Sequence, residues 1–514
     1  MDKKNIDCDG MLLETVIKLY GKDWTKYKVK NLSMVYDDID YSNFEFTETH
    51  FDLSDVEFPK DRDFFKKLRD SDLYLTILPK GDYSIYDFTD IDISYTNLEN
   101  ATKIPEDKDF FQKIHKKSLT GATLPNIDFR KYNMNGVEIG AVKFGRESKF
   151  NKDMFQTVAH KNANNTSLPL LDYSDFDFKG VLLEGVRFDK DSILPKNKDF
   201  LQNLKSKSIE GCVMPKGNYS IYNFNDVKVA DAEFTEDSIL DKSFPQKVHC
   251  RNLTGIIMPI MDYSDFDFTD VELESVTFKE GSIPPKNRDF LTKLNKKSIY
   301  DTKIPSWDLS EYNFKDVNIS GVIFSPDAIL PKDENLFQII FDKRITTCSL
   351  PKCDYSIYNL NSVKIGKTVF AEGSTIIPKE NMFQNMVIIN SVGASVFPSG
   401  DYSKCNMTGI FGASVCFTFN SKVPEDKGFL KLYLRRNPKG ITINILENIH
   451  LLDLEGLCLD LREYGKYLTE NQIAALRVKY RDVIGNRIKL PEKARDKDEL
   501  AINKDKNINK ELTI

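Results

Sequence analysis

The sequence predicts a repeat solenoid, mainly β, with a short α-helical insert in each unit. Three observations predict it. In "MPKGNYSIYNFNDVKVADAEF", Tyr219, Phe224, Val229 and Phe234 step by five, and Tyr222, Val227 and Ala232 each sit two before one of them. A phrase built on "PKxxDF" returns as "FPKDRDFFKKL", "IPEDKDFFQKI", "LPKNKDFLQNL" and "PPKNRDFLTKL". Its anchors are Phe64, Phe110, Met154, Phe200, Phe244, Phe290, Leu336, Met382 and Phe429, 44–47 residues apart, which marks one array rather than several domains.

A strand alternates every two residues and a helix repeats near 3.6, so a period of five fits neither. It fits a short extended piece followed by a corner. Four such sides close a square coil, and coils stack about 4.8 Å apart. The centre of each pentad, and the residue two before it, then point inward. A second anchor follows each of the first eight: Tyr83, Phe129, Tyr173, Tyr219, Tyr263, Leu309, Tyr355 and Tyr402, with Tyr41 opening the array. Proline stands four residues before each, from Pro79 to Pro398, as suits a corner that needs no ladder donor. Asp or Asn stands just before each anchor, from Asp82 to Asp401, and again four after it, from Asp87 to Asn406. Such side chains bond nearby backbone amides and so suit corners. "PKNKDFLQNLKSK" reads as the helical insert, with Pro195 in its first turn and Phe200 and Leu204 on one apolar face.

On these residues the chain resembles the pentapeptide-repeat family, whose motif is A(D/N)LXX. The central position matches at Tyr219 and Phe224, and the Asp/Asn before it at Asn218 and Asn223. The resemblance covers most of residues 27–420. It departs where the family prefers Ala, placing Tyr222, Val227, Phe266 and Val271 there, and by its helical inserts. It implies a right-handed quadrilateral β-helix and a bacterial protein. The alternative fold is a leucine-rich-repeat-like α/β solenoid. The expected organisation is an N-terminal helical cap at 1–26, the array at 27–430 with eight full repeats and a partial first one, a capping region at 431–490 and a polar flexible tail at 491–514.

The 514 residues are 40% hydrophobic and 29% charged, with a net charge of −6. That suits a folded chain and argues against a generally basic nucleic-acid binder. "MDKKNIDCDGMLLETV" lacks the apolar core of a signal peptide, and no 18-residue apolar run occurs, so a cytoplasmic protein away from membranes is expected. Export by a signal-peptide-independent system is the alternative. The eight cysteines form no CxxC pair and read as reduced thiols, and Cys458, in "LEGLCLDL", reads as buried and inert.

No GxSxG, P-loop, HExxH, GxGxxG or EF-hand loop is found, and three of the five histidines fall in separate inserts. No catalytic, cofactor-binding or metal-binding residue is therefore assigned, and no enzyme is expected. Some bacterial effectors resembling ubiquitin ligases join a pentapeptide coil to a large catalytic region, but only residues 431–514 follow the array here. The Asp/Asn columns offer one carboxylate per corner, often replaced by Asn, which suits corners better than calcium loops.

Two sets of outward residues remain. Lys and Arg cluster near the insert ends, as in "KIHKK", "KLNKK" and "FDKR". They read either as solvated cations complementing helix C-termini or as a basic ridge for phosphate or an acidic partner, with Lys116, Lys117, Lys296, Lys297 and Arg344 as candidates. Few aromatics interleave with them, so nucleic acid is not favoured. Ile85, Ile221 and Ile357, in "DYSIY", "NYSIY" and "DYSIY", lie 136 residues apart, face outward and form a candidate apolar contact row. The expected function is a non-enzymatic scaffold presenting a long surface to a protein partner, with homodimerisation through a solenoid end as a further option. The alternatives are a DNA-mimic modulator of a type II topoisomerase, as the resemblance implies, and a secreted bacterial effector or toxin-associated targeting protein.

Overall fold

In the computed structural model the described residues run unbroken from 58 to 389, with parts of 4–57 and most of 395–491 around them. Tyr41 and residues 492–514 lie outside them. The chain forms two compact units, Met1–Met261 and Asp262–Ile514.

In the first unit a helix, Leu13–Tyr20, stands near the N-terminus. Beyond it, parallel pairings link Ile77, Asn97, Thr123, Lys143, Ser167, Arg187, Val213, Glu233 and Ile257 in succession. The second unit repeats the pattern through Thr277, Lys303, Ile323, Ser349, Val369, Val396 and Cys416. Each step spans 20–27 residues.

The strand pairing overturns the expected fold class. Among the described residues the sheets are parallel but short and separate. The largest has six strands, each of two or three residues, from Lys303–Ile304 to Val415–Phe417, and no sheet closes or winds on continuously. Neither a quadrilateral β-helix nor a leucine-rich-repeat-like solenoid describes it. The physical reason lies in the corners. Left-handed residues such as Asp226 (φ 60°) and Asp231 (φ 58°) fall five apart, so each step is mostly bend, and only short segments remain to pair.

The five-residue period nevertheless governs burial. Tyr219, Phe224, Val229 and Phe234 are buried, as are Tyr222, Val227 and Ala232 two before them. All the first and second anchors between Phe64 and Phe429 are buried too. Their rings pack edge to face, Tyr219 against Phe234 at 5.0 Å and Phe224 against Phe244 at 4.9 Å, a favoured aromatic geometry.

The helical inserts are shorter than predicted. Each full turn of helix starts at a first anchor, as in Phe110–Lys113, Phe200–Asn203, Phe290–Lys293 and Leu336–Ile339. Asn197 Oδ1 accepts the Asp199 N–H at 3.0 Å and the Asn197 carbonyl accepts the Phe200 N–H at 3.0 Å, so an Asx turn launches the helix. Pro195 therefore precedes the helix rather than sitting in its first turn. Leu204 is already extended (φ −65°, ψ 148°), so its burial comes from the strand-like exit and not from a helical face.

At the end of the second unit come helices Lys427–Arg436, Ile443–Asn448 and Glu470–Lys479 and the parallel pair Leu459–Asp460 with Ile488–Lys489. Asn444 is buried; its Nδ2 donates to the Val423 carbonyl at 2.8 Å and its Oδ1 accepts the Val423 N–H at 3.1 Å. One amide side chain thus satisfies backbone that would otherwise end unpaired.

Candidate protein-binding surface

The Asp/Asn columns are occupied by the backbone. Every residue just before a second anchor accepts the N–H two positions on: Ser84 to Asp82 at 2.9 Å, Ser220 to Asn218 at 3.1 Å and Ser356 to Asp354 at 3.0 Å are examples. The column four after the anchor does the same, with Asn225 donating to Asn223 and Asn361 to Asn359. Asn substitutes for Asp because only an acceptor oxygen is needed. The Ser84 hydroxyl and N–H hold the Asp82 carboxyl below the usual carboxylate range, and Lys66 with Thr89 does so more strongly at Asp87.

Three further sets of bonds, not read from the sequence, close these corners. Buried tyrosine hydroxyls donate to the proline carbonyl four before them: Tyr83 to Pro79 at 2.6 Å, Tyr173 to Pro169 at 2.8 Å, Tyr355 to Pro351 at 2.6 Å. A second set reaches 27 residues back, Tyr132 to Pro105 at 3.0 Å and Tyr222 to Pro195 at 2.7 Å. Burial pushes the Tyr132 and Tyr222 hydroxyls up to about 12. Gln202 Nε2 bridges the carbonyls of Asn223 and Asn225 at 3.0 and 2.7 Å, and Gln338 bridges those of Asn359 and Asn361. The available signal was the glutamine two after most first anchors.

The seven described cysteines are unpaired in disulfides. The Cys212 thiol donates to the Leu183 carbonyl, as Thr302 donates to Leu273, and burial pushes that thiol up to about 12. Cys458 corrects the sequence reading: it is exposed. Leu457, Leu459 and Leu461 face in while Cys458 and Asp460 face out, a two-residue alternation that places the thiol in solvent. Among the described residues no group of three or more His, Cys, Asp or Glu is placed to hold a metal ion, and no helix is long and apolar enough to cross a membrane.

The outward isoleucines are where the period puts them: Ile85 is 45% exposed, Ile221 46% and Ile357 41%. They do not form a continuous row. Lys131 and Asp175 hold the equivalent turn position between Ile85 and Ile221, and Asp265 and Glu311 hold it before Ile357. Ile357 instead lines a groove of 170 Å³ with Ile376, Ile377 and Met382. A second isoleucine column was missed: Ile193 and Ile239 in the first unit, Ile283 and Ile329 in the second, all exposed. Each lies beside an Asx corner; Ile239 accepts the Tyr219 N–H at 2.7 Å and donates to the Gly217 carbonyl at 3.0 Å. Its signal was the isoleucine in "SILPK", "SILDK", "SIPPK" and "AILPK".

Some of the candidate ridge cations are paired with carboxylates. Lys296 pairs with Glu272 at 3.1 Å, Lys297 with Asp316 at 3.3 Å and Arg344 with Asp342 at 3.3 Å. The second-unit candidates are thus neutralised by neighbouring carboxylates. The cations also do not end helices. Lys116 and Lys117 sit on a left-handed turn, both at φ 52°, closed by the Ser118 N–H to the His115 carbonyl at 3.1 Å, whereas Arg344 is extended and opens the strand Arg344–Thr346. Lys116 and Lys117 are exposed. No family model matches this chain, and no curated protein matches it.

Proposed function

We propose that the chain is a non-enzymatic binding protein that offers outward side chains of its repeated turns to a protein partner. The observation that carries this reading is the repeated exposed isoleucine beside the Asx corner, Ile193 and Ile239 in one unit and Ile283 and Ile329 in the other. Inward and corner positions are consumed by packing and backbone hydrogen bonds. A large aliphatic residue kept outward at one turn place in two successive repeats of each unit, where Lys103, Lys149, Thr375 and Lys422 hold it in the others, is what a local contact surface requires. Ile221 in the first unit and Ile357 in the second are further exposed isoleucines.

The test is photo-cross-linking in the source cell with a benzoylphenylalanine at Ile239 or Ile329. A discrete protein adduct that weakens in Ile193→Ser and Ile283→Ser backgrounds supports the reading. Absence of any adduct at these positions would overturn it.

A further inference from the structure

Each insert turn in the first unit faces a column of left-handed residues 19 positions later. The column reads Asp90, Gly136, Gly180 and Asp226. The backbone is alike throughout: the N–H of Asp90, Gly136, Gly180 and Asp226 donates to Lys113, Thr157, Asn203 and Lys247 carbonyls respectively, at 2.8–2.9 Å. At two Asp members the carboxylate meets a basic side chain of a turn. Asp226 contacts His249 at 2.5 Å and is held low by His249, Lys207 and Lys228. In the second unit the equivalent Asp316 pairs with Lys297 at 3.3 Å.

At Gly136 and Gly180 the carboxylate lapses. A Cβ at either position would meet nothing within 4 Å, so crowding does not demand glycine. Asp also takes the same left-handed conformation at φ 62° and 60° in the flanking members, Asp90 and Asp226. The consequence is a short strip of two turns bearing Lys116, Lys117, His160 and Lys161, each with no carboxylate 19 positions after its last residue. Among the described residues none of these side chains forms an ion pair, in contrast to Lys296 and Lys297. Glu138 is exposed and its N–H donates to the Lys117 carbonyl at 2.9 Å, so one carboxylate borders the strip.

We propose that this strip binds an acidic, extended peptide segment of a partner protein. The proposal rests on the reading of the chain as a protein-binding protein and names the chemistry of what it takes. Successive cationic turns are two parallel pairings apart, about 9.6 Å at strand spacing. An extended peptide in the polyproline II conformation has three residues per turn and rises about 9.3 Å in them, so carboxylates at every third position share one face and meet successive turns. No Phe, Tyr or Trp stands in these turns, which removes the main stacking platform that single-stranded nucleic acid uses.

The test is fluorescence anisotropy at low salt with the full chain and a labelled peptide carrying glutamate at every third residue. Binding is expected to weaken about tenfold when Lys117→Glu and Lys161→Glu are combined, and similarly when Gly136→Asp and Gly180→Asp restore the missing carboxylates. Lys296→Glu with Lys297→Glu should change it less than about twofold. Circular dichroism melting shows whether each variant is folded, and the lysine pair serves if the glycine pair is not. Absence of peptide binding, equal loss in the Lys296/Lys297 variant, or tighter binding of an oligonucleotide of equal charge overturns the proposal. If the peptide fails while Ile239 still cross-links, only the strip is wrong; if both fail, the binding reading falls with it.

Discussion

The Tyr222 hydroxyl donates to the Pro195 carbonyl 27 residues earlier, at 2.7 Å, inside the protein. Tyr86, Tyr132, Tyr312 and Tyr358 make the same bond to Pro59, Pro105, Pro285 and Pro331. Tyr222→Phe leaves one buried carbonyl unpaired, and chemical denaturation should show a loss of about 1 kcal/mol. Phenylalanine stands at the equivalent positions 176 and 266, so the ring itself fits. Tyr222→Ala removes the ring as well and should cost about 3–5 kcal/mol.

The glutamine column predicts a second loss. Gln202→Ala frees the Asn223 and Asn225 carbonyls at the edge of the corner. Both are partly reachable by water, so a cost of about 1 kcal/mol is expected in the same denaturation experiment.

Ser206 lies at φ 69° in an exposed turn. An L-residue there carries a left-handed penalty that glycine avoids, partly offset by glycine's chain entropy. Ser206→Gly should raise stability by up to about 1 kcal/mol, and Ser206→Val should lower it by a similar amount.

Two pH limits follow from the buried and corner groups. Carboxyls such as Asp82, Asp87 and Asp354 are depressed in the folded state by hydroxyl, amide and lysine partners. Their stabilisation is present above the ordinary carboxylate pKa, near 4, and is lost as pH falls below it. Tyrosines such as Tyr86, Tyr132 and Tyr222 are raised to about 12 by burial. Their contribution is full below the ordinary phenol pKa, near 10, and is lost as pH rises toward 12. Melting temperatures across pH should fall on both sides, and tyrosinate absorbance should appear together with alkaline unfolding.

Thiol chemistry separates the cysteines. A disulfide reagent added to native protein should label Cys250 and Cys458, which are exposed, and spare Cys212 and Cys348, which are buried. Cys212→Thr should be nearly neutral, since threonine makes the same bond to a carbonyl at Thr302.

The inward set was legible because burial follows the five-residue step: Tyr219, Phe224, Val229 and Phe234 can be read as core from spacing alone. The fold class was not, because the step says which side chains turn in but not how many residues between bends can pair. Asp226 and Asp231 shorten the segment between them to one bridging residue, Lys228, and their left-handed angles carry no apolar signature. The neutralised lysines were invisible for another reason. Asp316 meets Lys297 from 19 residues away, across a pairing register that charge counting along the chain does not reveal. The proline and tyrosine columns were both visible, yet the bond from Tyr222 to Pro195 joins different repeats.

The division of labour between corner and outward residues is tested most directly by measuring adduct yield and melting temperature together for Asn218→Ala and Ile239→Ser, with the cross-linker at Ile221. The account predicts that Asn218→Ala lowers the melting temperature and leaves the adduct intact below it, while Ile239→Ser leaves melting unchanged and removes most of the adduct. The reverse pattern, an Ile239 variant that melts early and still cross-links, would contradict it.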